Sequence, residues 1–423
     1  MNTFTLILLI HIYNSLIKTA KVLAIIFLRF TPYWKKWNIY ERLNIPQTNN
    51  NLSINGNNVV LLHGASLGEC KLLVKFLEIL RKKNPSNKYV LTSVTSTGVE
   101  FLKSLKNSDI IAVGFFPFDT LSLMNSLIKK YSVNRVWIME TEIWPCFMFS
   151  CIKNNVLVGL VNARLEEKSL KYYLRFNFFF KHFFLWPDII LAQSNEYAER
   201  FKKLGIAQNK IKVCGNLKSF IKFKNVSQEE KNKLRGLLNI EINSICIAFG
   251  CIHLEEAKAI KEAIILFKSF NIPAKFILVP RYLKDAKPLA DSFDNNALIL
   301  TELYTTQKWD ICIIQRMGIL ENTYMLSDCA VICGTFDNTG GHNMWDAVQF
   351  GIPVFFGPNY ETQKQSAQIL IDAKIGFCAQ SGKELANMIY KTLIENKKEI
   401  EQSYSSFKLK LNNNINVFES MLP

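Results

Sequence analysis

Short apolar runs alternate with amphipathic stretches along most of the chain, and this alternation limits the folds that the sequence can adopt. The runs are apolar at every position, which is typical of strands buried on both faces of a parallel sheet. The stretches between them, such as 71–83 and 197–204, have helical spacing. This pattern predicts doubly wound α/β sheets. The predicted strands are 59–63, 88–94, 110–116, 135–140, 156–161, 188–193, 245–250, 275–280, 310–314, 329–334 and 352–357.

A polar, lysine-rich segment over 220–243 interrupts the alternation, which restarts at 245. We therefore expect two similar α/β domains, with a boundary near 219–225. Such a pair is typical of the GT-B fold, in which two Rossmann-like domains face each other across a cleft. The predicted divisions are an N-terminal membrane anchor (1–35), an N-terminal Rossmann-like domain (36–218), a linker (219–243) and a C-terminal Rossmann-like domain (244–423).

The N-terminal segment 4–30 is long and apolar enough for a membrane helix, but it carries Asn14, Lys18, Lys21 and Arg29. It has neither a positive n-region nor a small-residue cleavage site, so it does not resemble a cleaved signal peptide. Three interpretations remain: a spanning anchor, a helix lying in the membrane interface, or a buried helix. By the positive-inside rule, the body of the protein is expected in the cytoplasm because basic residues follow the segment at Lys35, Lys36 and Arg42.

The composition is basic, with 51 Lys and Arg against 35 Asp and Glu, a net charge of +16. Such an excess suits an anionic membrane, an acidic substrate or nucleic acid, and charge alone does not choose among them. The 10 cysteines include no C-x-x-C pair. This spacing favours buried, reduced thiols over a structural zinc site.

A glycine-rich turn, GTFDNTGGHN at 334–343, lies between a predicted strand and a helical pattern. Gly340 and Gly341 allow close backbone approach, and a helix that begins after them would offer N–H groups and a dipole to a phosphate. The alternative is a tight turn without a ligand. Asp346 follows Asn343 by one helical turn, where its carboxylate could accept hydrogen bonds from ribose hydroxyls or complement the helix N-terminus.

Acidic side chains follow two strands of the first predicted domain. Glu69 ends the segment HGASLGE at 63–69, where ligands of open α/β sheets bind, and a carboxylate there can act as a general base. Alternatively, Glu69 only complements a helix N-terminus. Glu140 and Glu142 follow the apolar run RVWIM at 135–139, and Pro145 then opens a helix as a favoured first residue.

Cations also fall at predicted strand ends or helix starts, and Lys218 and Arg281 are placed to offset negative charge on a nucleotide or leaving group. Taken alone, each of these two side chains is typical of a solvated cation on a protein surface. The same edges carry NARL, GNLK, GCIH, VPRY and MG at 162–165, 215–218, 250–253, 279–282 and 317–318. The aromatic and basic stretch 171–184 suits either a membrane surface or a buried helical core.

Eight motifs occur in the order of a known family, and on them the chain resembles the 3-deoxy-D-manno-octulosonic acid (Kdo) transferases of lipopolysaccharide synthesis. The resemblance covers about residues 40–376. The motifs are HGASLGE, TSVTSTG, METEIWP, NARL, GNLK, LVPR, the GGHN turn and GIPVFFGP.

The resemblance implies an inverting GT-B glycosyltransferase with CMP-Kdo as donor, a lipid A precursor as acceptor, and neither cofactor nor metal. It implies that Glu69 is the catalytic base and that Glu140 and Lys218 stabilise the transition state. It places the enzyme at the cytoplasmic side of the inner membrane, with no nucleic-acid partner. The implied nucleotide-binding residues are Pro280, Arg281, Met317, Gly318, Ile319, Asn343, Met344, Trp345 and Asp346.

Four positions depart from the family pattern and bear on the nucleotide site. Asp346 stands where the family usually has Glu, and Tyr282 where it has His. Cys251 replaces a common Ser, and Ile319 a frequent acidic residue. Two other functions stay open: a nucleotide-sugar epimerase on the same fold, and a basic membrane-binding protein without catalysis. Because the lysines are spread along the chain rather than clustered, nucleic-acid binding is not expected.

Overall fold

The computed structural model describes residues 3–48, 58–294 and 296–422. The chain divides into two compact units, Met1–Phe220 with Asn414–Pro423, and Ile221–Asn413. Each unit has its own seven-stranded sheet.

The sheet of the N-terminal unit is parallel and has the order β3-β2-β1-β4-β5-β6-β7. The order reverses between β1 and β4, which is the switch point where ligands of doubly wound sheets bind. The strands are β1 (Val59–Gly64), β2 (Lys88–Ser93), β3 (Ile110–Phe115), β4 (Val133–Met139), β5 (Leu157–Ala163), β6 (Ile189–Ala192) and β7 (Ile211–Val213).

Helices cover both ends of this unit and the connections between its strands. They are α1 (Thr3–Leu28), α2 (Pro32–Lys36), α3 (Ile39–Arg42), α4 (Leu67–Lys83), α5 (Ser96–Lys103), α6 (Leu121–Tyr131), α7 (Pro145–Lys153), α8 (Glu167–Arg175), α9 (Asn177–Phe184) and α10 (Asn195–Lys203). Pro145 occupies the first turn of α7, as the sequence predicts.

The C-terminal unit has the strand order β10-β11-β9-β8-β12-β13-β14, so its switch point lies between β8 and β12. Its strands are β8 (Ile245–Ile252), β9 (Ala274–Pro280), β10 (Ala297–Leu300), β11 (Ile311–Ile314), β12 (Cys329–Ile332), β13 (Val354–Phe356) and β14 (Gly376–Cys378). Its helices are α11 (Gln228–Leu237), α12 (Ala257–Lys268), α13 (Ala286–Asp291), α14 (Leu320–Leu326), α15 (Trp345–Val348), α16 (Lys364–Asp372), α17 (Gly382–Tyr390) and α18 (Lys397–Met421).

Burial on both faces explains why the strands read as unbroken apolar runs. Ile247 and Phe249 of β8 belong to one apolar cluster, whereas Cys246, the residue before Ile247 in the same strand, belongs to another. Each predicted strand is present to within two residues, so the two-sheet α/β architecture is confirmed. The sequence missed β7, β10 and β14, which are short and partly exposed.

The predicted domain limits differ from the structure at two places. The segment expected to be a linker contains α11, which begins with a capping box of Ser227 and Glu230 and buries Arg235 against Asp328. Residues 414–423 belong to the N-terminal unit because Phe418 of α18 packs on Phe76 and Phe220. The sequence did not predict α11 or the position of residues 414–423, because both segments are polar over most of their length.

Helix α1 is docked on the N-terminal unit by the face of its first turns. Ile10 is fully buried, and Asn14 Oδ1 accepts a hydrogen bond of 2.9 Å from Leu121 N. Tyr13 donates to the buried carboxylate of Asp119. The rest of α1 exposes large apolar side chains, and Thr5–Leu28 is long and apolar enough to cross a membrane.

Candidate active site

Glu69 lies in the first turn of α4, beside the carboxyl end of β1 and the switch point of the N-terminal unit. Its two carboxylate oxygens accept hydrogen bonds from Ala65 N at 2.9 Å and from the Ser66 hydroxyl at 3.0 Å. The Ser66 hydroxyl in turn caps α4 by accepting from Glu69 N. Glu69 thus has the contacts of a helix-capping residue, and each oxygen keeps further acceptor capacity for a substrate hydroxyl.

Glu140 follows β4 directly and has a left-handed backbone with φ of 59°. Such a conformation costs a residue other than glycine on the order of 1–3 kcal/mol and is concentrated at functional sites. Its carboxylate pairs with Arg164 at 2.8 Å. Burial and the charge of Glu69 raise the pKa of Glu140, while Arg164 and Lys218 oppose the rise. The carboxylates Glu69 and Glu140 and the cation Lys218 therefore share one electrostatic environment.

Lys218 lies in the turn after β7, and the backbone of that turn is held by a buried amide. Asn162 of β5 is fully buried, has φ of 54°, and accepts a hydrogen bond of 2.9 Å from Leu217 N. Its side-chain nitrogen has no hydrogen-bond partner among the described residues. Asn162 thus fixes the position of Lys218 and leaves one buried donor unused.

Glu142, the other acid of the METEIWP segment, has a different partner. Its carboxylate lies 2.8 Å from His63 Nε2, and His63 Nδ1 lies 2.9 Å from the Thr92 hydroxyl. Burial alone would raise the pKa of Glu142, but the hydrogen bond and charge of His63 hold it below its usual value. Glu142 therefore links β4 to β1, and the sequence had offered no partner for it.

The implied nucleotide-binding segments of the C-terminal unit, together with the GCIH motif, follow four adjacent strands. They are Met317–Ile319 after β11, Arg281 after β9, Cys251 and His253 at the end of β8, and 343–346 after β12. Neighbouring parallel strands lie about 4.8 Å apart, so these ends form one continuous edge. The charges of Arg281 and Asp346 both act on the pKa of the Cys251 thiol, which burial raises to about 11.

Several of the implied nucleotide-binding residues are buried, and only part of the set offers a side chain to a ligand. Arg281, Asn343 and Asp346 are exposed, as is Met317. Gly318 has φ of 75° and contributes backbone alone. The side chains of Pro280, Ile319, Met344 and Trp345 are buried, with Trp345 Nε1 bonded to the Ser366 hydroxyl. Asn343 Nδ2 donates to Asp346 Oδ1 at 2.6 Å, so these two residues lie together as predicted.

The glycine-rich turn differs from the phosphate site that its sequence predicts. The helix after it, α15, has only four residues, Trp345–Val348, and Gly341 N already donates to Gly334 O. The N–H groups at the start of the turn are also engaged. Glu256, which is fully buried, accepts from Gly334 N at 2.7 Å, Thr335 N at 3.0 Å and Phe336 N at 2.9 Å. The helix that the sequence predicts after the turn is therefore present but short, and Glu256 holds the N–H groups at the start of the turn.

Two histidines meet at the same edge. His253 Nε2 lies 2.8 Å from His342 Nε2, and their rings are stacked with an interplanar angle of 11°. Burial, and then the charges of His253 and Arg281, lower the pKa of His342 to about 4, while Asp337 opposes the shift. Both histidines and Glu256 were missed from the sequence alone. The two histidines could have been found, because they lie in two motifs that the sequence indicates, GCIH and GGHN.

One group of side chains has the spacing of metal ligands. A ring nitrogen of His253 and carboxylate oxygens of Glu255 and Asp337 lie within 4.8 Å of one another. Asp337, however, already accepts from the N–H and the hydroxyl of Thr339, at 2.9 and 2.7 Å, and Glu255 is exposed. We therefore assign no metal ligands at this edge.

A family model described as 3-deoxy-D-manno-octulosonic-acid transferase (kdotransferase) matches residues 37–221. The transferase of Chlamydia trachomatis serovar A, of the same name, is 27% identical over 344 residues, which are 80% of this chain and 79% of that protein. The transferase of Rickettsia felis is 26% identical over 369 residues, which are 86% of this chain and 78% of that protein. The chain is thus similar to Kdo transferases over residues 37–221 by the family model, and over 80% and 86% of its length by these two relatives.

Kdo transferases are glycosyltransferases, so the chain is an enzyme of that class. A glycosyltransferase from Rickettsia africae has a similar fold, with a TM-score of 0.54 at 16% identity, over 86% of this chain and 97% of that one. UDP-GlcNAc 2-epimerase from Neisseria meningitidis has a TM-score of 0.54 at 14% identity, over 82% of this chain and 94% of that one. These likenesses support the GT-B fold and do not separate transferase from epimerase; the Kdo transferase relatives favour the transferase.

Proposed function

We propose that the protein transfers Kdo from CMP-Kdo to a lipid A precursor, with inversion at the sugar carbon and without a metal ion. The observation that carries the proposal is the placement of Glu69, Glu140 and Lys218 in one electrostatic environment at the switch point of the N-terminal unit. The names of the relatives supply the sugar, and the acceptor class is what the motif resemblance implies.

Glu69 would take the proton of the acceptor hydroxyl as that oxygen attacks the sugar carbon. A general base must remain ionised and lie within hydrogen-bond reach of the hydroxyl. The bonds from Ala65 N and the Ser66 hydroxyl fix the direction of its carboxylate. Attack from the face opposite to the departing phosphate then inverts the configuration.

Glu140 and Lys218 would stabilise charge that changes during the reaction. The donor carries a carboxylate and a phosphate, and the transition state of glycosyl transfer has positive character at the sugar carbon. An ionised carboxylate suits that positive charge, and an ammonium suits the donor's anionic groups. The strained backbone of Glu140 and the Asn162 bond to the Lys218 turn give both groups fixed positions.

The donor's nucleotide would occupy the edge of the C-terminal unit. Arg281 is exposed there and offers a planar fork to phosphate or carboxylate oxygens. The joined side chains of Asn343 and Asp346 present one amide and one carboxylate to the ribose or base. Because Met344, Trp345, Pro280 and Ile319 are buried, their contribution would be to shape the backbone of the site.

The membrane is proposed as the location of the acceptor, with the protein on its cytoplasmic side. The first turns of α1 are docked on the N-terminal unit through Ile10 and Asn14, so only about 14 residues remain after Asn14. These would extend about 21 Å, which is shorter than the bilayer's hydrocarbon core of about 30 Å. We therefore favour a helix lying in the interface over a spanning anchor.

Helices α8 and α9 would contribute to the same attachment. They bury Leu170, Phe183 and Phe184 on one side, while Phe178 is 67% exposed and Tyr172 is 53% exposed on the other. The buried-core interpretation of this stretch holds for one face, and we propose the membrane-surface interpretation for the other. Exposed aromatic and basic side chains together are typical of a surface that rests on lipid headgroups.

The metal-free part of the proposal is tested with a chelator. The donor's negative charges can be met by Lys218 and Arg281, so we expect transfer from CMP-Kdo to continue at an unchanged rate in excess EDTA. The measurement is product formation on a lipid A precursor with and without EDTA. Loss of activity that magnesium restores would contradict the metal-free mechanism while leaving the transfer itself intact.

A further inference from the structure

The leaving phosphate poses an electrostatic problem at the edge of the C-terminal unit. On the proposed function, the donor phosphate is a diester with one negative charge, whereas the departing CMP carries close to two at neutral pH, since the second pKa of a phosphate monoester is about 6. The first N–H groups of the glycine-rich turn cannot meet this charge, because Glu256 holds them. Arg281 is one cation at this edge, and a second charge requires another source.

The histidine pair is placed to be that source. Two imidazole nitrogens 2.8 Å apart require one proton between them, because two lone pairs or two N–H groups at that distance repel. One ring therefore donates and the other accepts. The other ring nitrogen of His342 has no hydrogen-bond partner among the described residues. The pair can consequently gain one more proton without breaking another bond of His342.

The charges around the pair decide when it gains that proton. Arg281 faces it from the end of β9, Asp337 approaches His253 Nδ1 at 3.9 Å, and Glu255 lies within 4.8 Å of both. The Glu256 carboxylate accepts a hydrogen bond from His253 N. The ring of Tyr282 packs edge-on against that of His253, with 6.0 Å between the ring centroids. Burial, and then the charges of His253 and Arg281, lower the pKa of His342 to about 4, so this ring is neutral at pH 7 when no phosphate is nearby. A nearby phosphate dianion has the opposite effect, because negative charge favours the protonated imidazole.

We propose that the His253–His342 pair takes up a proton from solvent as the phosphate leaves, and that the protonated pair stabilises the second negative charge of the departing CMP. The bond between the sugar carbon and the phosphate oxygen breaks with its electron pair going to the phosphate. The acceptor's proton goes to Glu69, and the proton gained by the histidines stays on nitrogen as a donor to phosphate. Because the second charge develops as this bond breaks, the protonated pair stabilises the transition state more than the donor phosphate, which lowers the barrier.

Proton uptake on nucleotide binding measures this directly. Calorimetry of the full-length protein at pH 7.5, in two buffers that differ in ionisation enthalpy, gives the number of protons taken up with CMP and with CMP methyl ester. The ester carries a single charge on phosphorus and imitates the donor. We expect about 0.5–1 proton with CMP and a clearly smaller number with the ester.

Variants assign the uptake to the pair. His342→Asn and His253→Asn should each abolish the uptake with CMP and weaken CMP binding by about tenfold, while binding of the methyl ester changes little and shows that the site is folded. His11→Asn, on the exposed surface of α1, is the matched control and should keep the full uptake.

The outcomes separate this inference from the proposed function. CMP binding without proton uptake, equal uptake with CMP and its ester, or uptake that persists in both histidine variants would overturn the role of the pair and leave the transferase assignment standing. Failure of the wild-type protein to bind CMP at all would overturn both.

Discussion

At the scale of single residues, Glu69 combines two roles that substitution can separate. Its oxygens accept from Ala65 N and the Ser66 hydroxyl, which stabilises the start of α4. The same contacts direct the carboxylate that we propose as the base. A matched site exists in the C-terminal unit, where Ser381 caps α17 and Glu384 accepts from Gln380 N at 2.7 Å.

We expect Glu69→Gln to reduce turnover by about 100- to 10,000-fold, because the amide keeps the shape but cannot accept a proton. Its capping contacts are weakened as well, so stability should fall by about 1 kcal/mol. Glu384→Gln should cause a similar loss of stability with normal turnover. The measurements are turnover and urea unfolding of both variants. If Glu69→Gln works at more than about half the native rate, Glu69 is a capping residue and not the base.

The nucleotide edge allows a second test at this scale. Arg281→Ala and Asn343→Ala should each weaken CMP binding by about tenfold or more, since each removes an exposed group that can bond to the nucleotide. Asp346→Glu should be tolerated because it restores the family's residue. Calorimetry with CMP measures all three, and thermal unfolding shows whether the fold is kept. Unchanged affinity for CMP in both alanine variants would contradict nucleotide binding at this edge.

His342 also makes the stability of its unit depend on pH. Its pKa is about 4 in the folded protein, lowered by burial and by the charges of His253 and Arg281, against about 6.5 when unfolded. Between these values the unfolded chain binds more protons, so stability falls as the pH drops from about 6.5 to 4. We expect a contribution of roughly 1 kcal/mol, reduced by the partial exposure of the ring. Urea midpoints at pH 7 and 4.5 should differ less in His342→Asn than in wild type; an equal difference would contradict this account.

At the scale of elements, the ends of β4, β5 and β8 share an unusual backbone. Glu140, Asn162 and Cys251 have φ of 59°, 54° and 62°, and strand pairing shifts its register at Asn162 and Cys251. Such bulges turn side chains away from the regular alternation of a strand and occur next to active sites. In this protein they occur at the carboxyl edges where the candidate residues lie.

The strands could be predicted from sequence because burial on both faces gives unbroken apolar runs, as in β1 and β8. The contacts of the site could not. HLEE at 253–256 has the composition of an ordinary helix start, and nothing in it shows that Glu256 binds a turn 78 or more residues later. Likewise, Ser66 and Glu69 have capping-box spacing, yet only the structure shows both oxygens of Glu69 engaged.

Membrane attachment is tested at the element scale. Phe178 of α9 and Phe27 of α1 are 67% and 69% exposed, and each would lose a favourable lipid contact if replaced by Asp. We expect each substitution to lower partitioning into anionic vesicles by about tenfold, from the free energy of burying one aromatic side chain. Ile242→Asp, at a 75% exposed apolar residue of the C-terminal unit, is the control and should partition normally. Equal partitioning of all three variants would contradict attachment through α1 and α9.

At the scale of the whole molecule, each unit places its candidate residues at its own switch point. In the N-terminal unit these are the acids and Lys218 around β1 and β4; in the C-terminal unit they are the groups after β9, β8 and β12. The division of roles is consistent with acceptor chemistry in one unit and nucleotide binding in the other. The two-domain plan was visible in the sequence, whereas the assignment of residues 414–423 to the N-terminal unit depended on the packing of Phe418.

Mass spectrometry of a lipid A precursor, after incubation with CMP-Kdo and the purified full-length protein, tests the proposed Kdo transfer. The account predicts a product heavier by one or more Kdo residues, formed together with CMP, and its near absence with Glu69→Gln. An unmodified lipid A precursor, in a reaction where the same protein consumes a different sugar nucleotide, would contradict it.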